Sequence, residues 1–389
     1  MSPTVPPISK IPPAVAGHPL ARIVAVLVLL FIFLLGINAL GDGFKSLGSG
    51  ALDTFFAATE NPFTALIVGI LATTLVQSSS VTTSLIVALV AAPENPLPIA
   101  NAVPMVMGAN IGTSVTNTLV SLAYMGRKEE FRRAFAVATC HDFFNYMAVI
   151  LLLPLEMATG YLQKTATALA SLLTGFGGLE YDSPIKSGLK AAVKPIKGAI
   201  HAITDSERLQ AILLIVTAAV MIYIALMLLV RVMRQAMHSR VETIVSRGLH
   251  QAAPFAIVVG ILVTVMVQSS SITTSLLVPL AGAGIITLAQ AFPITIGANL
   301  GTTVTALLAA LAVTGPNAEA GIIIALVHLG FNMSATLLIY PVLRIRNLPL
   351  RAATRLANVA VRSRRLAFSY VVLLFYGLPA LLIVLDRLF

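Results

Sequence analysis

Two copies of one polar string carry the residues best suited to binding ions. The string is Gln-Ser-Ser-Ser, formed by Gln77, Ser78, Ser79 and Ser80 and again by Gln268, Ser269, Ser270 and Ser271. Each copy interrupts an apolar segment, so a regular helix would turn some of these side chains toward lipid. Polar groups at membrane depth are tolerated where they are buried in protein or line an aqueous cavity. We therefore predict a helix break at a hairpin tip in each copy; a packing seam of small residues is the alternative.

A second duplicated string lies downstream of each tip. GANIGTSVTNTLVSLA begins at Gly108, and GANLGTTVTALLAALA begins at Gly297. We expect Gly108, Gly112, Gly297 and Gly301 to allow local unwinding that frees backbone carbonyls. Neutral oxygens beside them come from Asn110, Thr113, Thr116, Asn299, Thr302 and Thr305. Carbonyls in unwound transporter helices coordinate sodium, while hydroxyls and helix N-termini can hold an anion.

A third pair completes a repeated unit: His141, Phe144 and Asn145 are echoed by His328, Phe331 and Asn332. The three pairs are offset by 191, 189 and 187 residues, so two short deletions align the copies. The sequence predicts an all-α polytopic membrane protein with an inverted-topology repeat, re-entrant hairpins and broken helices. In that architecture the binding site forms at the repeat interface near the bilayer midplane.

Asp142 is the one acidic residue well inside an apolar stretch. An ionisable group there indicates function, so we expect a cation or proton ligand with His141 as hydrogen-bond donor. The alternative is an aspartate facing a cytosolic vestibule near Arg132 or Arg133. We expect both His141 and His328 to be satisfied groups at helix interfaces rather than metal ligands. Because the repeat cores contain no Lys or Arg, cations that travel with the substrate must compensate a bound dianion.

Composition agrees with a membrane protein. Of 389 residues, 58% are hydrophobic and 10% are charged, and the single cysteine, Cys140, excludes an intrachain disulfide scaffold. The net charge of +10 resides in connections between apolar segments, as in cytoplasmic loops, which argues against a nucleic-acid partner. We place the amino terminus in the cytoplasm and expect a multi-pass protein of the cell (inner) membrane.

The apolar pattern divides the chain into six parts. They are an amino-terminal segment with the first span (1–61), repeat 1 (62–159), an outside connection (160–208), a linking span with a cytosolic loop (209–249), repeat 2 (250–345), and an Arg-rich cytosolic loop with the last span (346–389). Simple spans are expected at 23–40, 209–230 and 366–385. Interrupted apolar segments are expected at 63–92, 97–125, 131–155, 252–283, 285–313 and 321–343.

In this order the strings resemble the type II sodium-phosphate cotransporter family, the solute carrier 34 group and its bacterial relatives. The resemblance covers about residues 62–159 and 250–385 and includes FRRAFAVATCHDFFNY followed by LLLPLEMATGYL. It implies sodium-driven uptake of hydrogen phosphate by alternating access. It also implies a charge-moving member, because Asp142, preceded by Ala136 and Ala138, matches the additional sodium site of such members. The connection 160–208 lacks cysteine and a glycosylation sequon, which favours a bacterial member.

The resemblance also implies roles for individual residues. Phosphate is assigned to the six serines Ser78, Ser79, Ser80, Ser269, Ser270 and Ser271, and we expect Asn110 and Asn299 to join them. Sodium is assigned to Gln77, Gln268, Ser269, Thr302 and Thr305, with Thr113, Thr116 and Asp142 completing the set. No cofactor is expected, since sodium is a cotransported substrate; the partners are phosphate, sodium and the lipid bilayer.

Two other functions remain open on the sequence. The strings could serve a channel or carrier for another oxyanion, such as sulfate or arsenate. An intramembrane serine hydrolase would combine one repeated serine with His141 and Asp142. The duplication argues against that enzyme, because a catalytic triad is needed only once.

Overall fold

The computed structural model describes residues 19–47, 59–175, 184–249, 253–313, 316–377, 379–381 and 384. Helix is the only regular structure within those residues, which confirms the all-α prediction. The helices are α1 (Pro19–Leu47), α2 (Pro62–Val76), α3 (Ser79–Val90), α4 (Ile99–Thr113), α5 (Val115–Leu122), α6 (Lys128–Thr159), α7 (Tyr161–Gly175), α8 (Pro184–His201), α9 (Glu207–Leu249), α10 (Ala253–Val267), α11 (Ser270–Gly282), α12 (Leu288–Ala312), α13 (Ala318–Ile339), α14 (Leu343–Ala360) and α15 (Arg364–Val372), followed by a π-helical turn (Leu373–Gly377).

The predicted breaks occur at both polar strings. Helix α2 ends before Gln77, which adopts the left-handed conformation at φ 58°, and α10 ends before Gln268 at φ 55°. The next helices start at once, because Ser78 caps α3 and Ser269 caps α11. Each arm has 12 to 15 residues, too few to cross a bilayer that needs about 20. Two contacting short helices therefore replace a single span in each repeat.

The glycines of the second string serve close packing, and the predicted unwinding is wrong. Helix α4 continues through Gly108 and Gly112, and α12 continues through Gly297 and Gly301. A methyl group on Gly108 would overlap the Leu66 carbonyl oxygen of α2. The absence of side chains lets α4 lie directly on α2, and α12 on α10 in the same way, while the helical hydrogen bonds are kept.

The second arms of the two hairpins exchange partners. Helix α3 of repeat 1 packs against α12 and α13 of repeat 2, whereas α11 of repeat 2 packs against α5 and α6 of repeat 1. Helices α1 and α9 pair with each other at the side of this core, and α14 packs along α6. The two repeats therefore interlock, so that residues from both can meet in one polar network.

Helices also occupy the connections between the expected spans. The outside connection contains the helices α7 and α8, the linking span continues as one helix to Leu249, and the region after residue 346 begins with helix rather than loop. Among the described residues, five helices are long and apolar enough to cross a membrane, namely Leu20–Gly43, Lys128–Thr159, Glu207–Leu229, Leu288–Ala312 and Ala318–Ile339. Within the expected last span, residues 378, 382, 383 and 385 lie outside the described residues.

Candidate functional site

Each hairpin tip is fastened to its own repeat by a glutamine–threonine pair. The Thr116 hydroxyl donates to Gln77 Oε1 over 3.0 Å, and the Thr305 hydroxyl donates to Gln268 Oε1 over the same 3.0 Å. Each glutamine also donates its amide back to a carbonyl of the preceding helix, at Thr74 and Val265. These bonds hold a left-handed glutamine conformation that would otherwise be unfavourable. They also gather neutral oxygens of the type that sodium prefers.

All six serines assigned to phosphate lie at helix N-termini. Ser78 Oγ accepts from the Val81 N–H over 3.3 Å, and Ser269 Oγ accepts from the Ile272 N–H over 3.3 Å. Ser79 and Ser80 open α3, and Ser270 and Ser271 open α11. The first N–H groups of a helix have no acceptor within the helix, and its dipole is positive there. The serines therefore line two places suited to an anion.

The asparagines of the second string differ in their bonding. The Asn299 amide lies between two side chains of α6: its Oδ1 is 2.7 Å from His141 Nε2, and its Nδ2 donates to Asn145 Oδ1 over 2.7 Å. Asn145 in turn donates to the Asn110 carbonyl over 2.7 Å. Among the described residues, the Asn110 amide donates only to the Val106 carbonyl of its own helix. The structure thus joins Asn299 to repeat 1 and leaves the Asn110 amide out of the cross-repeat network.

The two histidines have opposite surroundings. His141 is fully buried and satisfied, since its other nitrogen, Nδ1, is 3.2 Å from Asn117 Nδ2. His328 is equally buried, yet neither ring nitrogen has a hydrogen-bond partner among the described residues. The same holds for Asn332 Oδ1, one turn later. The prediction of a satisfied histidine is confirmed for His141 and wrong for His328.

Asp142 is fully buried, and its partners are not those expected. The Tyr370 hydroxyl donates to Asp142 Oδ2 over 2.8 Å, and the Thr118 hydroxyl donates over 3.2 Å. His141 bonds elsewhere, so its predicted role as donor to Asp142 is wrong. The alternative, an aspartate facing a vestibule beside Arg132 or Arg133, is wrong as well. Arg132 binds Glu129, and Arg133 binds the Gly282 carbonyl. A carboxylate and two hydroxyls thus form a compact oxygen-rich site.

The remaining threonines of the predicted set are satisfied locally. Thr113 donates to the Ala109 carbonyl and Thr302 to the Ala298 carbonyl, each one turn earlier. A hydroxyl in this arrangement keeps its oxygen lone pairs available. The structure therefore brings Gln77 to Thr116 and Gln268 to Thr305, but it does not bond either pair to Asp142.

Sequence reasoning missed three residues of the site. Asn117 Oδ1 accepts from Thr274 and Ser275 of α11, over 2.9 and 3.0 Å, and so connects His141 to the repeat-2 hairpin. Thr118 and Tyr370 hold Asp142. A signal for Asn117 and Thr118 existed, because repeat 2 has Ala306 and Leu307 at the aligned positions. Tyr370 lies outside the repeats and had no such signal.

Comparisons with known proteins identify a family that this chain resembles. The family model described as Na+/Pi-cotransporter matches residues 32–181 and 221–381. The sodium-dependent phosphate transport protein 2A of Rattus norvegicus is 34% identical over 95% of this chain and 68% of its own length. The 2A protein of Ovis aries is 33% identical over 94% of this chain and 68% of its own length. The sodium-dependent phosphate transport protein 2B of Homo sapiens is 32% identical over 92% of this chain and 64% of its own length. No solved structure matches the chain.

Proposed function

The chain belongs to the Na+/Pi-cotransporter family, a family of carriers and not of enzymes, and from that premise we propose that it couples sodium to the import of hydrogen phosphate by alternating access. The observation that carries the proposal is the doubled tip. In each repeat, three serines at a helix N-terminus adjoin a glutamine–threonine pair. One feature suits an anion and the other suits a sodium ion.

The bound phosphate is neutralised by cotransported sodium. The serines are Ser78, Ser79, Ser80, Ser269, Ser270 and Ser271, and among the described residues none is hydrogen-bonded to a Lys or Arg. Burying a dianion without compensating charge is prohibitive. Sodium ions at Gln77 with Thr116 and at Gln268 with Thr305 supply that charge, and Thr113, Thr302 and Ser269 add oxygens. Asn110 and Asn299 complete the polar lining.

Asp142 gives the transport cycle its net charge movement. With Thr118 and Tyr370 it offers a carboxylate and two hydroxyl oxygens in a fully buried place. A sodium ion bound there is additional to those that neutralise phosphate, so one more positive charge enters in each cycle. The aligned residue in repeat 2 is Leu329, so this site exists once.

Alternating access is supported by the unequal state of the two repeats. His141 and Asn145 share the Asn299 amide, whereas His328 and Asn332 have unpaired atoms and the Asn110 amide is turned to its own helix. Buried unpaired groups are costly, so they call for a partner in some other state of the molecule. In the opposite-facing state, Asn110 takes the place that Asn299 takes here.

The repeats have inverted topology in this proposal, and the amino terminus is cytoplasmic. Arg127, Lys128, Arg132 and Arg133 then lie on the cytoplasmic side of the cell membrane, as the positive-inside rule demands. A cysteine at Gly126 and another at Ser206, in a chain with Cys140 replaced, test this arrangement. An impermeant maleimide should label the second but not the first on intact cells.

Uptake by proteoliposomes tests the mechanism. Phosphate should accumulate only with an inward sodium gradient and faster with a negative interior. Potassium in place of sodium should abolish uptake, and equal uptake in potassium would contradict the coupling. The Asp142→Gly variant should keep sodium-dependent uptake and lose its voltage dependence; unchanged currents would make Asp142 a structural residue. Arsenate should compete, while competition by sulfate alone would favour the other-oxyanion carrier.

A further inference from the structure

Helix α14 presents a line of arginines on its exposed face. Arg344, Arg351 and Arg355 in the helix and Arg362 in the turn after it are separated by seven, four and seven residues. At 3.6 residues per turn, these spacings place all four on one side. All four side chains are exposed, and we call them the arginine stripe.

The opposite face of α14 is apolar and buried. Pro349, Ala353, Ala357 and Ala360 are all buried, and Ala357 and Ala360 share a cluster with Phe131 and Phe135 of α6. This packing holds the helix in one orientation. The arginine stripe therefore faces away from the protein because of the fold rather than by side-chain flexibility.

Within the described part of the chain, the stripe has no acidic partner. Residues 320–385 contain neither Asp nor Glu, and none of the four arginines forms an ion pair within the described residues. Other arginines near the same end of α6 are paired: Arg127 with Glu130 at 3.0 Å and Arg132 with Glu129 at 2.8 Å. The stripe is thus a concentration of uncompensated positive charge, available to an anion outside the protein.

The surroundings of the stripe indicate the kind of anion. Leu348 and Val359 lie beside it with 53% and 46% of their surfaces exposed. Helix α14 connects the membrane helix α13 to the apolar helix α15, so it lies near the membrane surface. Arg351, Arg355, Thr354 and Asn347 also line an open cleft of about 470 Å³. Amphipathic helices that combine arginine with exposed apolar residues bind the lipid interface.

We propose that the arginine stripe docks the headgroups of anionic phospholipids, with Arg351 and Arg355 gripping the phosphodiester in the cleft. Guanidinium groups bind phosphate oxygens in a bidentate way, and Leu348 and Val359 contact the acyl region beside it. Negatively charged lipids of the cytoplasmic leaflet attract such basic segments. Because α14 packs on α6, the bound lipid contacts a helix that is in direct contact with the one carrying His141 and Asp142.

Lipid binding to the purified full-length chain tests the proposal. The protein in neutral detergent is titrated with phosphatidylglycerol or phosphatidylcholine, and retained lipid is counted by native mass spectrometry. We expect retention of phosphatidylglycerol but not phosphatidylcholine, and the double variant R351Q/R355Q should weaken it on the order of tenfold. The control R127Q/R132Q removes two arginines that already have glutamate partners, so it should leave retention nearly unchanged. R351K/R355K should restore part of the binding.

The outcomes separate the sources of phosphate. Inorganic phosphate added in excess should not displace the lipid, and full displacement would identify a site for free phosphate and overturn the docking surface. If R351Q/R355Q and R127Q/R132Q lost lipid retention equally, the binding would depend on net charge alone, and this result would also overturn the proposal. Sodium-dependent uptake by R351Q/R355Q in neutral liposomes should persist, so failure of lipid binding leaves the transport proposal intact. Size-exclusion profiles show whether each variant is folded.

Discussion

Helix α5 and the aligned half of α12 share four of eight residues and differ in the side-chain bonds that they make. In repeat 1, Thr116, Asn117 and Thr118 bond in turn to Gln77, His141 and Asp142, so three consecutive residues connect α5 to the first hairpin tip and to α6. In repeat 2 the aligned residues are Thr305, Ala306 and Leu307. Only the first bond survives there, between Thr305 and Gln268.

The contacts in the molecule are of two kinds: those that both repeats share and those that only repeat 1 makes. The tip, its threonine and the close helix pair are the same in both repeats, and they form the doubled site that we propose for the substrates. The connection from α5 to the histidine and the aspartate belongs to repeat 1 alone. The two repeats therefore keep the same backbone arrangement, while some buried polar contacts exist in repeat 1 only.

The largest effect should come from the shared packing. Gly108→Ala and Gly297→Ala each place a methyl group into the backbone of the facing helix, at Leu66 and at Ile257. Because backbone cannot move aside as a side chain can, we expect both variants to lose the folded protein. Gly126→Ala is the matched control, since nothing lies within 4 Å of an added methyl group. Size-exclusion chromatography of extracted protein measures the outcome. If Gly297→Ala folded and Gly108→Ala did not, the close packing would not be equally important in the two repeats.

The next effect should distinguish the two histidines. His141→Leu leaves the Asn299 oxygen and the Asn117 amide without their partner, which should cost about 3 kcal/mol of stability. His328→Leu removes a buried ring with two unpaired nitrogens, so its stability should stay the same or rise. Melting temperatures in one detergent compare the pair.

Transport by the second variant sharpens this test. If His328 takes a partner in the opposite-facing state, His328→Leu should be stable and yet transport slowly. A variant that is both stable and fully active would remove the role that we assign to His328. Equal destabilisation of both variants would mean that His328 has a partner in the state that predominates.

The limits of the sequence follow from the same residues. The breaks at Gln77 and Gln268 could be predicted because four adjacent polar residues cannot all avoid lipid on a regular helix. The continuity of α4 and α12 through their glycines could not, because the same residue permits both unwinding and close packing. The contact between Asp142 and Tyr370 could not be predicted either, because the two residues are more than 200 positions apart and no local pattern encodes the contact.

The third-largest effect on stability should come from replacing Asn117. Its oxygen accepts from Thr274 and Ser275, and its amide faces His141. Asn117→Ala should lower stability by about 2 kcal/mol, less than His141→Leu because Thr274 keeps its bond to the Ser270 carbonyl. Thermal melts provide the comparison. A cost above that of His141→Leu would place the main connection between the repeats at α11 rather than at Asn299.

The smallest effect should come from two aligned threonines on the first hairpin arms. Thr73 and Thr264 are both buried and both lie against a glycine, Gly112 and Gly301. The Thr264 hydroxyl donates to Thr273 over 2.9 Å, whereas the Thr73 hydroxyl has no partner among the described residues. Valine has the same shape without the hydroxyl. Thr264→Val should therefore lower the free energy of unfolding by about 1 kcal/mol, whereas Thr73→Val should leave it unchanged or raise it slightly. Because shape and burial are matched, a difference in melting temperature measures the hydrogen bond, and equal values would show that the Thr73 hydroxyl also has a hydrogen-bond partner in the populated state.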